Sequence, residues 1–217
     1  MSHMGIDILY EDNHVLVAVK PANMPSQADS SGDMDILTAL KGYIAEKYQK
    51  PGAVYLGLVH RLDRPASGLM LFARTSKAAA RFARQMQGRE IEKGYLARLS
   101  ALPVPPEGEL TDMLIKCEGN LVRIAQPHEK GREARLAYRV LETQKGHALT
   151  EVDLFTGRSH QIRVQFASRG WAIMGDARYG AGGRQLALFA HKLAFLHPVK
   201  KEWMAFEMPA PKGLLEP

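Results

Sequence analysis

The sequence predicts an α+β protein: a single domain with a large, mostly antiparallel mixed sheet flanked by helices and loops. Three observations carry this. From Leu110 to Phe155 short strand-like runs follow one another, separated by turns at Glu118-Gly119 and Lys145-Gly146, which suggests antiparallel hairpins. Few segments have a helical apolar period, and they are interspersed among the strands. The chain has 217 residues, enough for one well-buried domain.

The elements read in order as follows. "ILYEDNHVLVAVKP" is a strand, a turn at Asp12-Asn13 and a second strand ended by Pro21. "DILTALKGYIAEKY" places Ile36, Leu37, Leu40, Tyr43 and Ile44 on one helical face, with Asp33 or Asp35 as the cap. "GLMLFAR" is a short apolar run suited to a buried strand. "TSKAAARFARQMQG" is a helix with Ser76 as N-cap and Gly88 as its stop. "KGYLARLS" is a strand, and "LPVPPEG" a proline-rich break that invites a subdomain seam between Pro103 and Gly108. The runs "ELTDMLIK", "NLVRIAQ", "EARLAYRVLET" and "HALTEVDLF" supply the hairpins. "TGRSHQIRVQFASRG" reads as a capped helix ended by Gly170, and "QLALFAHKLAFLHP" and "EWMAFEMP" close the chain as strands. Residues 1–4 look like an expression-tag remnant, leaving 5–217 as the domain.

Composition narrows the function. Lys plus Arg number 29 against 23 for Asp plus Glu, a net charge of +6 that suits a polyanionic partner. The one cysteine, Cys117, excludes an intramolecular disulfide, and no Cys/His cluster has zinc spacing. No apolar stretch reaches transmembrane length and no signal-peptide core is evident, so a cytoplasmic protein is expected.

Three stretches have the residue types for chemistry. In "VHRLDRPASGLMLFAR", Asp63 lies at a loop-to-strand junction between Arg61 and Arg64, ahead of a Ser-Gly turn whose Gly68 permits close backbone approach. On spacing alone a surface ion cluster is the commoner explanation. In "EKGYLARL", Tyr95 is either a core tyrosine or a ring on which a base stacks. In "TGRSHQIRVQF", Arg158, His160, Gln161 and Arg163 bring donors and cations together near Gly157; a helical reading sets His160 and Arg163 on one face. The apolar Ile162, Val164 and Phe166 bury part of that helix, so one arginine turns inward and requires an anion, most simply a carboxylate. A solvated basic face is the plain alternative.

Together these stretches resemble the RluA-type RNA pseudouridine synthases. "HRLDRPASG" is similar to their H-R-L-D-x-x-(T/S/A)-S-G signature, and "VAVKPANMPSQ" to their K-P-x-G-hydrophobic-P segment. "KGYLARL" resembles their tyrosine-bearing strand, "TGRSHQIRVQFASRGWAIMGDARYG" their G-R-x-H-Q-I-R helix and following loop, and "FAHKLAFLHPV" their closing strand. The matches run in order from about Leu9 to Pro209. Asn23 stands where Gly is frequent, Gln165 where His is frequent, and no S4 RNA-binding domain is seen.

The resemblance implies a pseudouridine synthase fold and an enzyme that isomerises a uridine of structured RNA, transfer or large-subunit ribosomal, to pseudouridine. It implies no cofactor, no metal, no membrane and no obligate protein partner. Asp63 is then the catalytic carboxylate, either a nucleophile at C1′ or a base at the 2′ position. Arg163 holds Asp63 charged, and Tyr95 stacks on the target base. Arg61, Arg64, Arg158, His160 and Gln161 contact RNA, with Arg61 either filling the vacated space or bracing the flipped nucleotide. Lys77, Arg81 and Arg84 fit a backbone-tracking face as well as they fit a solvated helix. His60 is expected to be a structural hydrogen-bonding residue, and Ser67 a turn residue. A non-catalytic RNA-binding or RNA-folding protein would need the basic surface but not Asp63, Tyr95 and Arg163 together. A glycoside hydrolase would need a second carboxylate, which no motif supplies.

Overall fold

The computed structural model describes residues 2, 3 and 5–214. Met1 and Met4 of the presumed tag remnant, and 215–217 at the end of the expected domain, lie outside the described residues. The chain divides into two compact units, Met1–Ile91 with Lys192–Glu207, and Glu92–His191 with Met208–Pro217.

The first unit holds β1 (Ser2–His3), β2 (Ile6–Glu11), β3 (Val15–Lys20), α1 (Ile36–Lys47), β4 (Gly57–Leu58), β5 (Ser67–Ala73) and α2 (Ser76–Gln87). β2 pairs with β1 and β3, and β3 and β4 with β5, all antiparallel. Every residue of β5 is buried, as its apolar run requires. α1 starts at Asp35, whose carboxylate accepts from the Thr38 amide at 2.9 Å; it buries Ile36, Ala39, Leu40, Tyr43 and Ile44. Leu37, expected on that face, is only half-buried, and Ala39 takes its place. The cap of α2 is Thr75 rather than Ser76: the Thr75 hydroxyl accepts from Ala78 N at 3.1 Å, and Ser76 is already helical. Phe82 of α2 meets Phe195 edge-on at 5.5 Å, both fully buried.

The second unit holds β6 (Glu92–Leu99), β7 (Glu107–Lys116), β8 (Val122–Ile124), β9 (Arg132–Gln144), β10 (His147–Leu154) and α3 (Gln161–Ala167). β10 pairs with β6 and β9, and β7 with β9 and β8, again antiparallel. β9 and β10 meet at Lys145-Gly146, where both residues have positive φ (52° and 80°), the geometry of a tight two-residue hairpin. The expected seam at Pro103–Gly108 is not a boundary. That segment lies inside the second unit and leads into β7, which β9 holds along its length. Strand β11 (Leu188–Leu196) is divided between the units after His191, and β12 (Trp203–Glu207) pairs with its later half. The α+β class and the dominance of antiparallel pairing are as the sequence predicts.

Candidate active site

In the first unit, two buried anchors bracket Asp63. Ser26 Oγ donates to Leu62 O at 2.7 Å and accepts from Leu62 N at 3.2 Å, fixing the residue before the carboxylate. Lys20 fixes the residue after it. The Lys20 ammonium is fully buried and donates to Pro21 O (2.9 Å), Met24 O (2.7 Å) and Arg64 O (3.0 Å), so each of its three protons has a carbonyl. Burial pushes the Lys20 amine down to about 7, while the nearby Asp63 charge opposes that drop.

Strand register explains how Lys20 gets there. It lies opposite Gly68, which has φ 121° where the loop enters β5. Glycine adopts that backbone at no steric cost, so the loop can fold back over Lys20. Between Asp63 and Ala66 the chain closes a turn, Ala66 N donating to Asp63 O at 3.1 Å. The half-buried Asp63 therefore has a backbone held from both sides. Asn23 fits its place: its φ is 64°, the left-handed region that asparagine tolerates better than most residues.

His60 plays the structural part expected, its Nε2 accepting from Leu71 N at 3.1 Å. Arg61 is exposed. Arg64 is exposed too, but its guanidinium pairs with Asp33 and lies 3.8 Å from Asp29. Of the helical cations, Arg81 is engaged internally, donating to Pro198 O at 2.9 Å, whereas Lys77 and Arg84 are exposed.

In the second unit, Tyr95 lies in β6 opposite Val152 of β10 and is 5% exposed. Arg163 is buried on α3, and a carboxylate clamps it, as its burial requires. That carboxylate is Asp176: Nε donates to Oδ2 at 2.8 Å and Nη2 to Oδ1 at 2.7 Å. Asp176 Oδ1 also accepts from Arg178 N (2.9 Å) and Tyr179 N (3.1 Å). Burial alone would raise the Asp176 carboxyl, but these donors hold it below the ordinary aspartate value. The Tyr179 ring lies 5.1 Å from the Arg163 guanidinium carbon. Sequence reasoning missed Asp176 and Tyr179, although both stand in the quoted "GDARYG". The signal available was the inward arginine's need for an acid nearby.

Two expectations on this helix need correction. His160 does not share a helical face with Arg163. It precedes α3 in a left-handed conformation (φ 51°), with Nδ1 2.7 Å from Tyr179 Oη. Tyr179 Oη also accepts from Val122 N at 2.9 Å, so the phenol links His160 to the start of β8. Gln161, expected to face RNA, is 3% exposed and its amide is engaged internally. Its Oε1 accepts from Thr156 Oγ1 (2.8 Å) and Arg158 N (3.1 Å), and its Nε2 donates to Arg135 O (3.1 Å) and Gln165 Oε1 (3.0 Å). Gln165 in turn donates to Asp112 Oδ2 at 2.7 Å, so the residue in the frequent histidine position is a buried structural link. Arg158 stays exposed, with Nε on Glu133 O at 2.8 Å.

Comparison with known proteins places the chain in a family. The family model described as RNA pseudouridylate synthase matches residues 14–168. A ribosomal large subunit pseudouridine synthase D of Neisseria meningitidis serogroup B is 34% identical over 230 residues, covering 97% of this chain and 60% of that protein. The protein of the same name from Pseudomonas aeruginosa is 33% identical over 228 residues, covering 97% of this chain and 70% of its own length. Among solved structures, human RNA pseudouridylate synthase domain containing 4 superposes with a TM-score of 0.78 at 22% identity, over 96% of this chain and 90% of that one. The chain belongs to the RNA pseudouridylate synthase family.

Proposed function

We propose that this chain isomerises a uridine of large-subunit ribosomal RNA to pseudouridine, with Asp63 as its catalytic carboxylate. The observation that carries the role of Asp63 is the double anchoring of its loop. Lys20 and Ser26 fix the backbone on either side of one carboxylate, a cost in buried polar groups that a surface ion pair does not require. The choice of ribosomal over transfer RNA is supported by the names of the two bacterial relatives.

The reaction breaks N1–C1′, turns the uracil and joins C5 to C1′; the C5 proton leaves and N1 gains one, so the change is an isomerisation. Asp63 either attacks C1′ or removes the 2′ proton. Tyr95 stacks against the base, and Arg163, held rigid by Asp176, supplies a fixed cation. Arg64, Arg158 and His160 contact the RNA, and Arg61 fills the space the base vacates or braces the flipped nucleotide.

The test is tritium release from C5-labelled large-subunit ribosomal RNA and from labelled transfer RNA. Wild type should release label from the former, and Asp63→Ala should lose at least about a thousandfold in turnover while still binding RNA. Equal release from both proteins removes Asp63 from the mechanism. Release from transfer RNA alone replaces the substrate.

A further inference from the structure

The second unit contains a buried cation that the mechanism above leaves unused. Lys93 lies in β6, two residues before Tyr95, so the two side chains leave the same face of the strand from Cα atoms about 7 Å apart. Lys93 is 8% exposed, and among the described residues nothing forms a hydrogen bond or ion pair with its ammonium. Burial depresses its basicity, and no neighbouring charge offsets that. A buried ammonium without a partner is costly, and a fold keeps one at little benefit unless something else completes it.

The surroundings show what completes it. Gly157 is exposed, and a Cβ built there would have one neighbour within 4 Å, the Lys93 ammonium at 3.6 Å. The surface over Gly157 is thus open, with a positive charge at its floor. Arg158 follows, exposed, and of its guanidinium nitrogens only Nε is engaged among the described residues. A group that approaches over Gly157 meets Lys93 beneath it and Arg158 beside it.

We propose that Lys93 is a substrate-binding residue that takes a phosphodiester oxygen of the RNA, beside the nucleotide whose base stacks on Tyr95. A phosphodiester is charged at every working pH, offers only acceptor oxygens and lies within one nucleotide of any base, which suits an ammonium about 7 Å along the strand from the ring. Gly157 keeps a side chain out of the phosphate's way. This rests on the RNA reading of the site given above.

The experiment compares wild type, Lys93→Met and Gly157→Ala for equilibrium binding to a large-subunit ribosomal RNA transcript over a salt series, with tritium release and thermal melting alongside. Lys93→Met should weaken binding about tenfold at moderate salt and flatten the slope of log K against log salt by about 0.7. It should raise KM more than it lowers kcat, and its Tm should equal or exceed that of wild type, because a buried charge is gone. Gly157→Ala, whose new methyl group makes an ordinary contact with the ammonium, should weaken binding while melting like wild type. An unchanged salt slope in Lys93→Met overturns the proposal. So does a fall in kcat at constant KM, which would put the ammonium on the departing uracil. Wild type that releases no tritium refutes the proposed reaction, and the binding comparison on the same transcript still decides Lys93.

Discussion

Lys20 and Lys93 are both buried lysines, and burial pulls both below the ordinary lysine value, yet their surroundings differ in kind. Lys20 gives its three protons to three carbonyls and lies in the field of Asp63. Lys93 has no such set of acceptors and sits under open surface at Gly157. The comparison teaches that desolvation alone does not reveal what a buried charge is for. Completed coordination marks a clamp, and missing coordination beside an opening marks a place for a ligand.

The largest expected effect breaks the clamp. Lys20→Met leaves three inward carbonyls without a donor and releases the backbone next to Asp63. Unsatisfied buried acceptors and lost charge-assisted bonds together should cost about 3–5 kcal/mol, read as a lower urea midpoint. Turnover of the folded fraction should fall by about a hundredfold or more, since a small displacement of a reacting group is that costly. Lys93→Met should move stability the other way. If both variants destabilise equally, the distinction between the two lysines fails.

Much of this was legible in the sequence, and the rest was not for identifiable reasons. The alternating runs gave β2, β9 and β10, since residues with one buried face alternate, and β3 was legible instead as a short apolar run buried on both faces. The short helix α3 was read too long because donors at Arg158 and His160 look helical when spaced along a line. What they share is a turn closed by Gln161 and Tyr179, and side-chain bonds of that kind leave no periodic trace. Asp63, Tyr95 and Arg163 were singled out as residue types. The groups that hold them, Lys20, Ser26 and Asp176, were passed over, although each stood inside a quoted motif. Their roles depend on strand register and loop return, which bring together residues such as Ser26 and Leu62 that lie 36 positions apart.

Asp12 tests the same rule with the charge reversed. At the turn between β2 and β3, its Oδ1 accepts from His14 N and Val15 N, both at 2.8 Å. Its Oδ2 accepts from Tyr10 Oη at 3.0 Å and lies 2.9 Å from His197 Nε2. His197 Nδ1 accepts from Val199 N and Lys200 N, which leaves Nε2 as the donor. Burial would raise the Asp12 carboxyl, but the amides of His14 and Val15, with Tyr10 and His197, bring it to about 2. The folded value lies below the unfolded one, so its contribution is complete above pH ~4 and is lost as pH falls toward ~2. Asp12→Asn should cost about 2 kcal/mol at neutral pH. Urea midpoints of variant and wild type should converge as pH drops below ~4. A gap that persists undiminished into that range would show that the amide's shape, rather than the missing charge, is responsible.

The smallest effect concerns the exposed cation beside Asp63. Arg64 pairs with Asp33, with Asp29 at 3.8 Å, and all three side chains are solvated. Such a pair holds little of the fold together, so Asp33→Asn should melt like wild type. Its consequence should be in binding: an Arg64 released from a carboxylate can take a phosphate, and one negative charge near the RNA is gone. Affinity for a large-subunit ribosomal RNA transcript should improve about two- to threefold at low salt, with the gain fading as salt rises. Asp29→Asn, at the longer distance, should do less. Weaker binding by Asp33→Asn would mean that the pair presents Arg64 to RNA instead of competing for it. The acidic loop would then belong with Lys20 and Ser26, as a support whose partners are already in place.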